Sequence, residues 1–314
     1  MTTKGNRNIV VLGAGSIGAS FAAVFADQGW QVTLVDPDEA RLDAARDSVA
    51  TQGEAIALAG LRQGRGGRIA YAEDGDGALA KADLVLECGP ENVEIKQAIF
   101  ADLLQKTGPE TVLATASSAI RMSQIVTDPA LQARCVVAHP VNPPAVLRLI
   151  EICPANGTSK STIQAARTYF KSARFDAVVL SREIEGFVLN RLQGTVLREA
   201  YRLVEDGIVA PDDVDKVMRL GLGPRWALCG PFETAELNTP GGIAAHAARM
   251  GPAYKRMGEE RGENVEWSAP LIDRVVRARD AARGKASVAE RVTWRSTAVA
   301  KLVAVRDRLM RGET

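Results

Sequence analysis

Histidine is nearly absent from this chain: 314 residues include only His139 and His246. The four cysteines, Cys88, Cys135, Cys153 and Cys229, form no C-x-x-C pair. No stretch therefore has the spacing of a metal-ligand set, which argues against a metal site. Three of the cysteines lie in or beside apolar runs. They are expected to be buried and reduced, which points to a cytoplasmic location. Aromatic residues make up only 5 %, too few for a base-stacking surface, and the net charge of +1 gives no field to gather nucleic acid or an anionic membrane. No apolar run is as long as a membrane span. Ile9-Val10-Val11-Leu12, preceded by Lys4 and Arg7, superficially resembles the start of a signal peptide. It is too short for an h-region and runs into Gly13, so it reads as a strand.

Against these absences stand an ordinary globular composition, 46 % hydrophobic and 25 % charged, and a length sufficient for two cores. Short apolar runs at 8–12, 31–36, 69–72, 82–87, 111–116, 134–138, 147–152 and 175–180 read as strands. Helical spacing lies between several of them, at 17–28, 38–50, 92–106 and 159–172. That alternation predicts a largely parallel sheet covered by helices. From Gly186 onward the spacing is helical throughout, beginning with Phe187, Leu189, Leu192 and Val196. Gly207 is a helix stop, Pro211-Asp212-Asp213 and Thr239-Pro240 are helix starts, and Ser287–Arg311 is rich in helix formers. The Gly/Arg stretch 62–68 reads as a flexible surface connection. The domain boundary is placed at 185/186, giving domains 1–185 and 186–314.

Gly13-Ala14-Gly15-Ser16-Ile17-Gly18 follows the first strand and opens a helix. Alone, G-x-G-x-x-G is weak evidence, but here strand, turn, helix, second strand and a closing acid occur in order. Gly13 permits the sharp turn, Gly15 lets a pyrophosphate approach, and Gly18 lets helix and strand pack closely. The free amides at the helix start, those of Ser16 and Ile17 among them, would face the anion. Asp36, 21 residues after Gly15, would accept from the adenosine ribose hydroxyls and repel a 2′-phosphate. The expected cofactor is NAD. The fold class that follows is α/β: an N-terminal Rossmann-type doubly wound sheet followed by an all-α C-terminal domain. Glu91, Asn92 and Lys96 come just after a strand, where a solvated helix start and a ligand-facing sheet edge both fit.

One of the two histidines follows the apolar run Cys135–Ala138 and opens His139-Pro140-Val141-Asn142-Pro143-Pro144. The prolines stop the strand and hold the imidazole at its end. Glu151 lies twelve residues on in a second apolar run. A buried carboxylate needs a partner, and an imidazole titrating near ~6.5 is the natural one. A strand-end serine, Ser117 or Ser118, and Asn190 could join them. The chemistry such a set serves is alcohol oxidation. His139 would take the hydroxyl proton, Glu151 would orient the ring, and Ser118 and Asn190 would hydrogen-bond the substrate oxygen. Each has a plainer reading: a lone buried histidine is more often a satisfied core residue, and serines after a strand are commonly turn residues. His246, in an Ala-rich helix, is expected to be structural.

Taken together, the glycine fingerprint, Glu87-Cys-Gly-Pro-Glu-Asn-x-x-x-Lys96, the segment 139–144 and Gly186-Phe-Val-Leu-Asn-Arg191 resemble the 3-hydroxyacyl-CoA dehydrogenase superfamily. His-Pro-Val-Asn-Pro-Pro, Gly221-Leu-Gly-Pro-Arg-Trp226, Gly230-Pro-Phe-Glu-Thr234 and Trp294-Arg295 are similar to its lambda-crystallin / L-gulonate 3-dehydrogenase branch. The resemblance implies NAD contacts at Ser16, Ile17, Asp36, Glu91 and Lys96. It also implies a catalytic His139–Glu151 pair, with Ser118 and Asn190 positioning substrate. Ser118 is favoured over Ser117 because Ala119-Ile120 follows it. The turn Thr-Ala-Ser-Ser at 115–118 departs from the family's more polar pattern. A homodimer is expected, as in relatives.

Acyl-CoA members of the family carry a Lys-rich hairpin after the second strand, whereas residues 38–68 here contain no lysine. That favours a small L-3-hydroxy acid such as L-gulonate, with Asn142 and Arg225 as substrate contacts. Arg225 as a surface or dimer-contact residue is an equal alternative. The rivals are an L-3-hydroxyacyl-CoA dehydrogenase, a carnitine or diketo-ester relative, and, from another class, a non-catalytic crystallin-like structural protein.

Overall fold

In the computed structural model, residues 7–262 and 268–291 are described, together with Trp294, Val305 and Gly312. Most of the helix expected over 287–311, including Arg295, lies outside the described residues. The chain divides into two compact units, Met1–Val196 and Leu197–Thr314.

The first unit contains all the strands among the described residues: β1 (Asn8–Leu12), β2 (Gln31–Val35), β3 (Arg68–Ala72), β4 (Leu84–Glu87), β5 (Val112–Thr115), β6 (Cys135–Pro140), β7 (Leu149–Pro154) and β8 (Asp176–Val179). Its helices are α1 (Ser16–Asp27), α2 (Glu39–Leu58), α3 (Asp76–Leu79), α4 (Val93–Lys106), α5 (Met122–Ile125), α6 (Lys160–Ser172) and the start of α7 (Leu189–Glu205). The sheet order is β3-β2-β1-β4-β5-β6-β7-β8. Every neighbouring pair is parallel except β6–β7. β4, β5 and β6 are buried along their whole lengths, as strands covered on both faces must be. After β3 the chain crosses over β1 to reach β4. That reversal opens a crevice at the carboxyl ends of β1 and β4, where ligands of such sheets bind.

Five of the fifteen aromatic residues form one cluster. Phe21 and Phe25 of α1 pack on Phe170 of α6 and on Trp30 and Phe175, with ring centroids 5.1–6.4 Å apart. This fixes the nucleotide-turn helix against the sheet, since each such ring contributes large apolar burial.

Some boundaries differ from the sequence reading. α2 runs to Leu58 rather than stopping at 50: mid-helix Gly53 is tolerated because Ile56 beyond it is buried. The 62–68 connection is anchored rather than free. The Asp27 carboxylate accepts from the amides of Gln63 and Gly64, and Gly67 N donates to Ala26 O. Phe187 lies outside the helix. It has φ +48° and is fully buried, so its ring points into the core while α7 starts two residues later.

The second unit is helical among its described residues: the rest of α7, then α8 (Pro211–Val217), a π-turn at Met218–Leu222, α9 (Gly223–Trp226), α10 (Pro231–Leu237), α11 (Gly242–Glu260) and α12 (Ala269–Arg283). α8 starts at Pro211 with Asp212 and Asp213 in its first turn, and Gly207 (φ +68°) follows the end of α7, as the sequence indicates. α11 begins two residues after Pro240, because Gly241 and Gly242 both take positive φ. Glu236 of α10, nearly buried, receives Arg279 and Arg283 of α12 at 3.3 and 3.2 Å, which ties the two helices together.

Candidate active site

The glycine turn is built as the motif requires. Gly13 has φ +101°, and a Cβ on it would lie 2.8 Å from Cys88 O, the first residue after β4. A Cβ on Gly18 would lie 1.9 Å from Gly13 O, so only glycine lets α1 fold back on its own turn. Above Gly15 there is open space. α1 starts at Ser16 without a side-chain cap. An uncapped helix start beneath an open glycine suits an anionic group such as a pyrophosphate. Asp36, 4 % exposed, sits at the end of β2; its carboxylate accepts from Ala14 N at 2.9 Å and Asp38 N at 3.1 Å. It thus braces the turn from beside the fingerprint.

His139 and Glu151 are direct cross-strand partners in the only antiparallel pair of this sheet. His139 is the fifth residue of β6, within the strand rather than beyond its end. Its Nδ1 is 2.8 Å from Glu151 Oε2, and both side chains are almost fully buried. The other carboxylate oxygen accepts from Val188 N at 2.8 Å and Leu189 N at 3.1 Å, at the start of α7. Burial pushes the Glu151 carboxyl up. The hydrogen bonds from His139, Val188 and Leu189 outweigh it, and the net direction is down. An ionised Glu151 accepts the proton on Nδ1, leaving Nε2 with its lone pair. The Phe187 ring, 5.4 Å from the imidazole, covers its flank.

The sequence reading did not pick out Glu87, the partner of the candidate site residue Lys96, or Thr115, a partner of Glu87 in turn. Lys96 is 1 % exposed, and its Nζ donates to both oxygens of the fully buried Glu87 at 2.8 Å. Gly89 N (2.7 Å) and Thr115 Oγ1 (2.6 Å) donate to the same carboxylate. The signal was present: an acid closing the apolar run Leu84-Val85-Leu86 needs a buried partner, as Glu151 does.

Glu91 clamps the serine turn. Its Oε1 accepts from Ser117 Oγ at 2.6 Å and from Ser118 N and Ala119 N, each at 3.0 Å. Burial raises its carboxyl, but these bonds and nearby Lys96, 3.8 Å away, carry it down overall. Ser117 is buried within this clamp, whereas Ser118 is exposed. Asn190, the second residue of α7, donates through Nδ2 to Ser118 O at 2.9 Å.

These elements surround a cleft of about 250 Å³ lined by Ile17, Glu91, Lys96, Ser118, His139 and Asn142. Residues expected from the cofactor motif, the strand-end serine and the proline segment therefore share one concavity, whose size suits part of a small molecule. Arg225 belongs to the second unit, where it is exposed and lines an apolar pocket of about 490 Å³ with Trp226, Phe232 and His246. Within that unit, His246 Nδ1 is 3.2 Å from Thr239 Oγ1. Burial, helped by Arg249, holds its imidazole below the usual range. Burial pushes the Cys135 thiol up to about 12 and Cys153 to about 11, so both are inert.

Known families match at this point. The model of the 3-hydroxyacyl-CoA dehydrogenase NAD-binding domain matches residues 8–184, and that of the 3-hydroxyacyl-CoA dehydrogenase C-terminal domain matches residues 186–288. The chain belongs to this family and is an NAD-dependent dehydrogenase. Within the family it falls in the lambda-crystallin branch. It is 36 % identical over 281 residues to the lambda-crystallin homolog of Rattus norvegicus, a match covering 88 % of each chain. It is also 30 % identical to the L-carnitine dehydrogenase of Oceanobacillus iheyensis, covering 95 % of this chain and 97 % of the relative. Among solved structures it resembles the NAD+-dependent dismutase 5-formyl-3-hydroxy-2-methylpyridine 4-carboxylic acid 5-dehydrogenase. That match has TM-score 0.71 and 27 % identity, and covers 98 % of this chain and 100 % of that one.

Proposed function

We propose that this dehydrogenase oxidises the 3-hydroxyl of a small L-3-hydroxy acid of the L-gulonate kind, with His139 as general base. The observation that carries the reading is the 2.8 Å contact between His139 Nδ1 and a Glu151 carboxylate held down by two backbone amides, at the wall of the cleft. Nε2 of His139 takes the hydroxyl proton, and Glu151 stabilises the imidazolium that results. NAD, when bound, accepts the hydride. The free amides of α1 would hold the pyrophosphate, Asp36 would meet the adenosine ribose, and Lys96 with Glu91 would line the nicotinamide end. Ser118 and Asn190 steady the substrate oxygen as its charge changes.

The choice of a small acid rests on charge. α2 carries two arginines, Arg41 and Arg46, against four acids, Glu39, Asp43, Asp47 and Glu54. Both arginines already face acids on their own helix or its cap, and Arg46 also stacks on Tyr71 at 4.2 Å. Such a helix offers little to the phosphates of coenzyme A. Asn142 and Arg225 are the proposed contacts for the substrate's polar end. Assaying NADH formation with L-gulonate, L-carnitine and 3-hydroxybutyryl-CoA tests this: kcat/KM should be highest for the sugar acid and fall at least about tenfold in Arg225→Met. A preference for the thioester would overturn the substrate assignment. No turnover of any of the three would overturn it as well.

We also propose a homodimer. α7 is amphipathic yet buries none of its residues, and it exposes Leu192 (58 %), Leu197 (46 %) and Tyr201 (74 %). A helix face of this kind is stabilised when a second copy covers it. Sedimentation equilibrium should return twice the chain mass, and a monomer at micromolar concentration would refute it.

A further inference from the structure

The carboxylate of Glu87 takes no part in the proton transfer just described, yet it is the most completely enclosed charge in the site, at 0 % exposure. It ends β4, the strand that flanks β1 at the crevice. Oε1 accepts from Gly89 N and Lys96 Nζ, and Oε2 from Thr115 Oγ1 and Lys96 Nζ. Each of these donors leads to a different part of the cleft. The Cys88–Gly89 peptide is the surface against which Gly13 packs: a Cβ there would meet Cys88 O at 2.8 Å and Gly89 N at 3.2 Å. Thr115 Oγ1 accepts in turn from Ser117 N at 3.2 Å, and Ser117 Oγ donates to Glu91. Lys96 itself lines the cleft.

Stability alone does not account for this arrangement. A buried ion pair exchanged for well-packed apolar residues is often as stable or more so, so such a pair is weak evidence of a stabilising role. Its position at the cleft wall is what calls for explanation.

We propose that Glu87 is a positioning residue for cofactor binding. It seats the Lys96 ammonium at the cleft wall and the Gly89 amide against the glycine turn, and so shapes the surface that receives the nicotinamide end of NAD. The inference rests on the reading of Lys96 as a cofactor contact given above. The groups facing Lys96 are Glu87 at 2.8 Å, Glu91 at 3.8 Å, the Cys88 thiol at the end of β4 and, lining the same cleft from β6, His139. Burial raises the Cys88 thiol, so it stays neutral. Glu91 has one oxygen committed to the serine turn. Glu87 is therefore the principal counter-charge of an amine that is 1 % exposed, and burial disfavours a cation whose counter-charge has been removed.

Glu87→Gln removes the charge and keeps the size: the amide oxygen still accepts from Gly89 N and Lys96 Nζ, while the NH2 in place of Oε2 donates to Thr115 Oγ1 and no longer accepts from Lys96. NADH binding, followed by fluorescence titration between about pH 6 and about pH 9, is the readout. Glu87→Gln should bind within about threefold of the parent at the acid end and at least about tenfold more weakly at the alkaline end, while the parent shows no such divergence. A loss of equal size at every pH, or no loss, would overturn the proposal. Lys96→Met separates the two readings: binding like the parent would refute Lys96 as a cofactor contact. A weakened Lys96→Met beside a pH-flat Glu87→Gln would refute only the inference about Glu87. If the single Glu87 variant fails to fold, Glu87→Gln/Lys96→Met removes both charges together. It should bind NADH as Lys96→Met does, and a further weakening beyond about threefold would show that Glu87 acts by another route.

Discussion

Replacing His139 by Asn lowers kcat by about 10²–10⁴-fold, the usual contribution of a positioned general base, and leaves NADH binding within about twofold of the parent. Asn is the informative choice. Its amide can place an N–H donor near the position of Nδ1, so Glu151, 2.8 Å from that nitrogen, keeps a partner. What disappears is the group at Nε2. The nucleotide turn, built on Gly13, Gly15 and α1, is held instead by Asp36 and by the Cys88–Gly89 peptide. Binding and chemistry should therefore separate. Pre-steady-state and steady-state NADH formation in His139→Asn, with a parallel NADH titration, checks this. Turnover within about tenfold of the parent would remove His139 from the role of base.

Glu151→Gln produces the second large effect, on rate and acid stability together. The glutamine side chain still accepts from Val188 N and Leu189 N through Oε1, but its amide donates toward Nδ1. His139 must then accept at Nδ1 and carry its proton on Nε2, the tautomer that cannot abstract a proton. A fall in kcat of about 10³–10⁴-fold is expected, the range seen when an orienting carboxylate is neutralised elsewhere. The Glu151 carboxyl is lowered in the folded protein, net of the opposing effect of burial. Its contribution is thus fully present above the ordinary carboxylate pKa and is lost as pH falls through the folded value. Midpoints of urea unfolding should decline on acidification in the parent and decline less steeply in Glu151→Gln. An unchanged acid slope would mean that Glu151 is not ionised against His139.

Much of the architecture was legible because burial on both faces leaves a plain trace. β4, β5 and β6 are covered on both sides, and their sequences are apolar up to the residues that close them, Glu87, Thr115 and His139. The glycine turn was legible for a different reason: backbone conformation and close approach leave glycine as the only residue that fits at 13 and 18. His139 and Glu151 could be paired from their residue types alone, since an acid in an apolar strand must find a donor. Glu87 satisfied the same rule and was passed over, because it was read as part of a motif rather than as a buried charge. Phe187 was read into a helix because its apolar spacing matched, and spacing carries no information about a left-handed residue. The serine turn was ambiguous for a similar reason. Ser117 and Ser118 are adjacent and chemically identical, and only the Glu91 clamp turns one inward and leaves the other exposed.

Composition, the glycine spacing and the buried acids were enough by themselves to determine an α/β nucleotide-binding unit followed by helices, with NAD as cofactor. These follow from local rules: which residues a sheet buries, which a tight turn admits, and which charges cannot stand alone. Only the tertiary structure decided that His139 and Glu151 face each other in the sheet's single antiparallel pair. It also decided that Glu151 takes the first amides of α7 and that Lys96 is neutralised by Glu87. Those facts depend on strand register and on donors that arrive from distant parts of the chain, and no periodicity in the sequence records which amide reaches which oxygen.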